Sequence, residues 1–176
     1  MKFTETRIKG AFVIELEKFE DERGFFARTW DTEEFKVKGL NPKLAQCSIS
    51  LNKEKGTLRG MHYQVAPHEE AKVVRCTMGA VYDVILDLRT SSPTYKQWFS
   101  VELTAENRKE LYIPEGVAHG FQTLAANTEV SYQISEFFHP ENARGVRWND
   151  PAFQIQWPLP DTVISPKDLA YPGWKP

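Results

Sequence analysis

Short apolar segments rich in Val, Ile and aromatic residues recur along this chain and are separated by turn signals. Seven of them predict strands, at residues 10–16, 71–76, 79–88, 98–103, 110–113, 120–124 and 128–138. Turn residues fall between some of these segments, at 91–93 and 114–116, and after the last one, at 139–142. Many short strands at close spacing are typical of an antiparallel sandwich or barrel. The pattern therefore predicts an all-β protein.

Helix signals are few. Asp31 and Thr32 precede two acidic residues, a pattern that predicts one short helix because such residues satisfy and stabilise a helix N-terminus. The segment after Trp157 holds five of the eleven prolines, so it is unsuited to a central strand or a long helix. We expect this segment to wrap over the strands, with a helical turn near residues 166–168, and residues 1–176 to form one domain.

Composition excludes several classes of protein. The formal net charge is -2, with 22 basic and 24 acidic residues, so nothing indicates nucleic-acid binding. The two cysteines, Cys47 and Cys76, lack the spacing of a zinc site. The apolar run near the N-terminus is too short for a signal peptide or a membrane span, and we expect a cytoplasmic protein.

Two glycine-containing segments carry candidate chemistry. In GTLRGMHYQ (56–64), Arg59 offers a forked donor suited to phosphate and His62 offers a base near neutral pH. In IPEGVAHGF (113–121), His119 lies between Ala118 and Gly120, which leave room beside the imidazole. From these segments alone, each histidine could equally be structural.

Four further side chains are candidates on local grounds. Asp83 lies in an apolar strand and requires a partner such as His119, because an unpaired buried carboxylate is costly. Lys72 could stabilise a developing enolate or be a solvated strand end. Tyr132 could donate a proton or simply pack, and Asp168 is a second possible partner for a histidine.

A metal-dependent cupin is disfavoured by the first histidine segment. Such barrels usually present His-x-His, whereas this chain has His62-Tyr63-Gln64. His68 follows Pro67 in a predicted loop, and His62 and His119 alone are a poor transition-metal site. The sequence therefore predicts no metal site.

The motifs together resemble the dTDP-4-dehydrorhamnose 3,5-epimerase family along nearly the whole chain. The segments that carry the resemblance are DERGFF (21–26), LRGMHYQ (58–64), AKVVRC (71–76), VYDVILDLR (81–89), LTAEN (103–107), IPEGVAHGF (113–121), GVRWNDP (145–151) and SPKD (165–168). The resemblance implies a cupin-like jelly-roll fold, that is, a double-stranded β-helix barrel. It also implies proton abstraction beside a ketone and reprotonation from the opposite face, with no cofactor.

The family's roles carry over position by position. His62 looks like the base, Asp168 like the carboxylate that orients it, Tyr132 like the acid and Lys72 like the cation beside the enolate oxygen. The resemblance places the substrate contacts at Gln46, Ser48, Arg59, Asp83 and His119. It further implies that an N-terminal arm, about residues 1–30, carries Arg23, Phe26 and Arg28 to the nucleotide bound by a neighbouring subunit of a homodimer.

The chain departs from the family near the nucleotide. Arg28 stands where the dTDP enzymes carry a Glu suited to accept the N3–H of thymine, and Arg can only donate. Ser48 replaces a frequent Asn and Phe137 a usual Tyr. Since Arg28 could face acceptors on cytosine or guanine, we hypothesise that the nucleotide is not necessarily dTDP, and that CDP and GDP are alternatives.

Several functions remain open from the sequence. The substrate is expected to be a nucleotide-linked 4-keto-6-deoxy sugar inverted at C3 and C5, or at C3 only, and a 4-keto heptose is a further alternative. A non-catalytic sugar-nucleotide binding module is the competing class. It predicts loss of His62, Lys72 or Tyr132, and all three are present.

Overall fold

A computed structural model describes residues 1–160 and 163–174. These residues contain two short helices, α1 (Thr32–Val37) and α2 (Pro166–Leu169), and fourteen strands. The strands are β1 (Lys2–Glu5), β2 (Phe12–Glu15), β3 (Lys18–Asp21), β4 (Gly24–Ala27), β5 (Gln46–Asn52), β6 (Thr57–Gln64), β7 (Lys72–Met78), β8 (Ala80–Asp87), β9 (Trp98–Thr104), β10 (Glu110–Ile113), β11 (Val117–Thr123), β12 (Thr128–Ile134), β13 (Ala143–Gly145) and β14 (Val163–Ile164).

Two antiparallel sheets form the body of the fold. The first sheet has the order β1-β2-β10-β7-β12-β5, and the second has the order β13-β6-β11-β8-β9. The short β14 pairs with β6 in parallel, and β3 and β4 form a separate hairpin. Strands that are distant in sequence are neighbours in both sheets, as expected of the jelly roll.

The main core lies between the two sheets. Val81 and Ile85 of β8 pack there with Leu111 of β10 and Phe121 of β11, and all four are buried. The strand β8 is almost continuously buried, which agrees with its near-continuous apolar sequence. Burial of these side chains holds the two sheets face to face and fixes the relative positions of the strands that carry the candidate site.

All seven predicted strands are present, as β2 and β7 to β12, but some of their ends differ from the prediction. The strand predicted at 128–138 ends at Ile134. Ser135 still donates to the carbonyl of Ala71, but the N–H groups of Phe137 and Phe138 bond to side chains. Phe137 donates to the Glu136 carboxylate and Phe138 donates to the amide oxygen of Gln46, so neither continues the ladder. The strand predicted at 120–124 begins earlier, at Val117. The other seven strands have no counterpart among the predicted segments, and the polar β5 is the one of them that pairs directly with β12.

The helix predictions are confirmed. Asp31 caps α1 by accepting from the N–H groups of Glu33 and Glu34. In the C-terminal segment, Ser165 caps α2 by accepting from the N–H of Asp168. The same segment is held in place by the pairing of β14 with β6 and by a hydrogen bond from the backbone N–H of Trp174 to the carboxylate of buried Asp150. Neither of these helices is long and apolar enough to cross a membrane, as judged over the described residues.

Candidate active site

A close backbone contact between β6 and β11 organises the candidate site. Gly60 has a φ of +136°, and a Cβ built there would lie 2.6 Å from the Cα of Gly120. Only glycine permits both that conformation and that approach. Next to this contact, His62 of β6 pairs directly with His119 of β11 in the register of the second sheet. The candidate histidines of the two glycine-containing segments are therefore neighbours.

His62 forms a dyad with Asp168 from helix α2. The Nε2 of His62 lies 2.7 Å from Oδ1 of Asp168, and Oδ2 accepts from the N–H of Gly60 at 3.3 Å. Burial disfavours the Asp168 carboxylate, but the hydrogen bond and charge of His62, with the Gly60 N–H, outweigh it and hold the pKa of Asp168 below its usual value. An ionised Asp168 fixes the proton of a neutral His62 on Nε2 and leaves Nδ1 as the basic nitrogen.

His119 forms a second pair with Asp83 of β8. Its Nε2 lies 3.0 and 2.9 Å from the two carboxylate oxygens, and Asp83 is completely buried. Burial raises the pKa of Asp83, although His119 and Lys72 oppose the shift. The partner expected for a buried Asp83 is thus present in the structure.

Tyr132 approaches from the other sheet. It lies on β12, and its hydroxyl is 3.2 Å from the hydroxyl of Ser50 on the neighbouring β5. Burial raises the pKa of Tyr132 to about 12, with Asp83 adding to the shift and Ser50 and Arg59 opposing it. The phenol therefore stays protonated at neutral pH. Its ring centroid lies 6.3 Å from that of His119.

Two cations are fixed by neighbouring polar groups. The Nζ of Lys72 lies 2.7 Å from Oε1 of Glu70, and its side chain is only 11% exposed, so Lys72 is not a solvated strand end. The Nε of Arg59 donates to Oδ1 of Asn52 at 2.7 Å. Both bonds restrict the rotation of long side chains that would otherwise be mobile.

These side chains surround one cavity of about 340 Å³, at the lower end of the range for ligand pockets. Its lining includes seven of the predicted site residues, namely Gln46, Ser48, Arg59, His62, Lys72, His119 and Tyr132. Asp83 and Asp168 lie behind the two histidines and act on the cavity through them. The walls come from both sheets, with His62 and His119 on the second and Lys72 and Tyr132 on the first.

Three predicted residues lie outside this cavity. Arg23 and Phe26 belong to the β3–β4 hairpin, where Arg23 is paired with Asp21, and the exposed Arg28 lies 3.1 Å from Asp31. Within a single chain none of them contacts the cavity. Their predicted role in a neighbouring subunit stays a prediction.

Several contributors were missed by the sequence reasoning. Ser50, Asn52 and Glu70 support Tyr132, Arg59 and Lys72, and Tyr171 packs edge-on near His62, at 6.1 Å between ring centroids. A signal for β5 did exist. Polar residues alternate in QCSISLN, so its even-numbered positions share one face, and three of them line the cavity.

The arrangement is suited to removing a proton from one face of a carbon atom and adding a proton to the opposite face. A base held by a carboxylate projects from one sheet, and a protonated phenol projects from the other. A lysine ammonium in the same cavity can stabilise negative charge on an oxygen. A substrate between the sheets would therefore meet a proton acceptor on one face and a proton donor on the other.

Comparisons with known proteins agree with this geometry. The sequence model of the family described as dTDP-4-dehydrorhamnose 3,5-epimerase matches residues 5–175. The chain is also similar to the dTDP-4-dehydrorhamnose 3,5-epimerase of Sinorhizobium fredii, with 42% identity over 98% of this chain and 89% of the relative. The chain belongs to the dTDP-4-dehydrorhamnose 3,5-epimerase family. It is a carbohydrate epimerase with the cupin-like jelly-roll fold of that family.

Solved structures of the family superpose closely on this epimerase. The crystal structure of the Elizabethkingia anophelis enzyme has a TM-score of 0.96 and 38% identity, covering 99% of this chain and 96% of that one. The Legionella pneumophila enzyme, solved in complex with dTDP-4-keto-L-rhamnose, has a TM-score of 0.90 and 36% identity over 97% of this chain and 90% of that one.

Proposed function

We propose that this epimerase inverts C3 and C5 of a nucleotide-linked 4-keto-6-deoxy sugar. The observation that carries the proposal is the opposition of His62 and Tyr132 across one cavity, each on a different sheet. The sugar complex of the Legionella pneumophila relative supports a 4-keto sugar as the substrate class. A non-catalytic binding module would not need a dyad and a buried phenol in this arrangement.

In the proposed reaction, Nδ1 of His62 removes the proton from the carbon beside the ketone. The electron pair of the broken C–H bond delocalises onto the C4 oxygen, where Lys72 stabilises it, and Asp168 stabilises the imidazolium. Tyr132 then donates its proton to the opposite face of the same carbon, and the ketone re-forms. Exchange of the two side-chain protons with solvent returns the enzyme to its starting state, and the second carbon reacts in the same way.

The central experiment follows deuterium incorporation by NMR when the protein is incubated in D2O with candidate 4-keto sugar nucleotides. Deuterium at both C3 and C5 is expected, whereas deuterium at C3 alone would indicate a single epimerase. His62→Ala should abolish the exchange. The proposal is wrong if no candidate exchanges, or if His62→Ala exchanges at the wild-type rate.

The β3–β4 hairpin is proposed to complete the site of a partner subunit in a homodimer. Phe19, Phe25 and Phe26 are 69%, 41% and 65% exposed in the single chain, an apolar surface that a partner would cover. Because β1 and β2 already pair within their own sheet, we assign the exchanged arm to the hairpin. Arg23 and Phe26 would then reach the partner's bound nucleotide.

A mixed dimer tests this exchange. His62→Ala and Arg23→Ala would each impair their own homodimers, but a mixed dimer would contain one site with an intact base and an intact donated arm. Co-expression should restore about one quarter of the wild-type activity, since half the dimers are mixed and half their sites are intact. Absence of any complementation would show that Arg23 acts on its own chain.

The identity of the nucleotide is proposed to depend on residue 28. Arg28 forms an ion pair on the surface of the single chain and would accompany the hairpin to the partner site. Binding of dTDP, CDP and GDP should be compared for wild type and Arg28→Glu. The hypothesis expects the substitution to shift preference towards dTDP, and a clear dTDP preference in the wild type would refute it.

A cytoplasmic location is part of the proposal. It is supported by Cys47 and Cys76, which are both free thiols, as is usual in reducing compartments.

A further inference from the structure

We propose that His68, Glu136 and His139 bind a divalent transition-metal ion of the zinc type at the rim of the cavity. His68 lies in the segment between β6 and β7, and the other two residues follow β12. Their ligand atoms all lie within 4.8 Å of one another. The site shares no side chain with the two histidine–aspartate pairs and does not depend on the proposed function.

The two imidazoles are close enough to share an ion once one ring turns. Their ring centroids are 3.5 Å apart and their planes differ by 13°, so the rings are stacked. Because the lone pair of an imidazole nitrogen lies in the plane of its ring, at least one ring must rotate out of this stack for both nitrogens to point at the same ion. Tetrahedral zinc holds its ligand atoms about 3.3 Å apart, given metal–ligand bonds of about 2.0 Å. The three side chains are partly exposed, so they have room for the rotations that would bring the ligand atoms to this spacing.

The chemistry of this donor set selects the metal. Two imidazoles and one carboxylate are the protein ligands of open zinc sites, in which water or another molecule takes the fourth position. Magnesium and calcium prefer sets of oxygen atoms, so they are disfavoured here. The carboxylate of Glu136 accepts from the N–H of Phe137 and from the ammonium of Lys43, and these two bonds hold it in place. A carboxylate has about four lone-pair positions, which leaves room for a metal bond.

The ligand-bearing segments are already joined by a buried amide. Gln64 donates from Nε2 to the carbonyl of His68 at 2.9 Å and accepts at Oε1 from the N–H of His139 at 2.6 Å. Gln64 itself is almost fully buried. The backbone beside both histidines is therefore fixed before any metal binds, which reduces the entropy lost on binding.

A bound ion would act on the entrance of the cavity. Phe138, which lies between two of the ligands in sequence, lines the cavity together with Gln64. The ion would tie the segment after β6 to the segment after β12 and restrict the movement of Phe138. It would not displace His62 or Tyr132, because neither is a ligand.

The test is a titration of the full chain, freed of metal by a chelator, with Zn²⁺ by calorimetry and with Co²⁺ by visible absorption. We expect one equivalent to bind, with the spectrum of tetrahedral Co²⁺. His139→Ala should weaken binding by at least about 100-fold, since loss of even an outer partner of a metal ligand costs 10- to 100-fold. His62→Ala is the matched control and should bind as tightly as the wild type.

A second measurement guards against a variant that fails to fold. Glu136→Gln keeps the size of the side chain, and Zn²⁺ should raise the Tm of the wild type but not that of this variant. Circular dichroism checks that each variant is folded. The site is refuted if Zn²⁺ does not bind stoichiometrically, or if His139→Ala and Glu136→Gln bind it as tightly as the wild type.

Discussion

Replacement of Asp168 by Asn tests the catalytic dyad most directly. The substitution keeps the size of the side chain and removes its charge. Asp168 is buried and accepts from both His62 and Gly60, so the carboxylate has no water to replace its bonds. The amide could still accept one bond, but it could not stabilise an imidazolium as an anion does.

The size of the effect follows from the contact that is lost. A hydrogen bond to a charged group contributes about 1.5–3 kcal/mol, and each 1.4 kcal/mol changes a rate tenfold. We therefore expect Asp168→Asn to slow deuterium exchange at saturating substrate by about 10- to 150-fold. A larger loss would follow if the amide donated to Nε2 of His62, because the proton would then reside on Nδ1 and block the basic nitrogen.

The assay is the initial rate of deuterium incorporation in D2O, measured by NMR with saturating sugar nucleotide. Asp150→Asn is the matched control, since Asp150 is also buried and also holds the C-terminal segment, but lies outside the cavity. Its exchange rate should match the wild type. Wild-type exchange by a folded Asp168→Asn variant would refute the role of the dyad.

Three further predictions concern the acid, a buried carboxyl and the glycine contact. Tyr132→Phe should still exchange deuterium but yield no inverted product by NMR, and inversion at the wild-type rate would exclude Tyr132 as the acid. Burial raises the pKa of Glu110 to about 8, with Arg75 only partly opposing it, so the folded protein binds the proton more tightly than the unfolded chain. The free energy of unfolding in urea should therefore fall as the pH rises from about 4.5 to 8, by up to about 1.4 kcal/mol per pH unit. Glu110→Gln should flatten this pH dependence, and an unchanged slope in the variant would contradict the role of Glu110. Gly60→Ala should destabilise the protein by more than about 2 kcal/mol in the same assay, because its Cβ would meet Gly120, and wild-type stability would contradict the close contact.

Local sequence patterns were sufficient to predict the elements whose apolar residues pack into the core. The continuous apolar run of β8 identified a buried strand, and the acidic residues after Asp31 identified α1. The strand β5 was missed because its polar face lines the cavity rather than the core, so its pattern resembles a loop. Beyond the C-terminal end of β12, the chain bonds to the side chains of Gln46 and Glu136, which no local rule anticipates.

The pairs within the site were less accessible to sequence reasoning. Asp83 required a partner because it lies in an apolar strand, but the choice of His119 depends on the register of β8 against β11. The pairing of His62 with Asp168 came from family resemblance, since the two residues are 106 positions apart. The His68–Glu136–His139 cluster was missed for the same reason, because it is created by two loops that meet only in the folded chain.

The position of Asp168 makes the activity of the enzyme depend on the docking of helix α2. The sheets that carry His62 and Tyr132 are complete without helix α2, yet the base is oriented only when α2 docks on β6. Docking joins residues 106 positions apart, so the dyad exists only while the C-terminal segment lies against β6. A change that undocks α2 but leaves both sheets paired would therefore silence the enzyme with little change in its strand content.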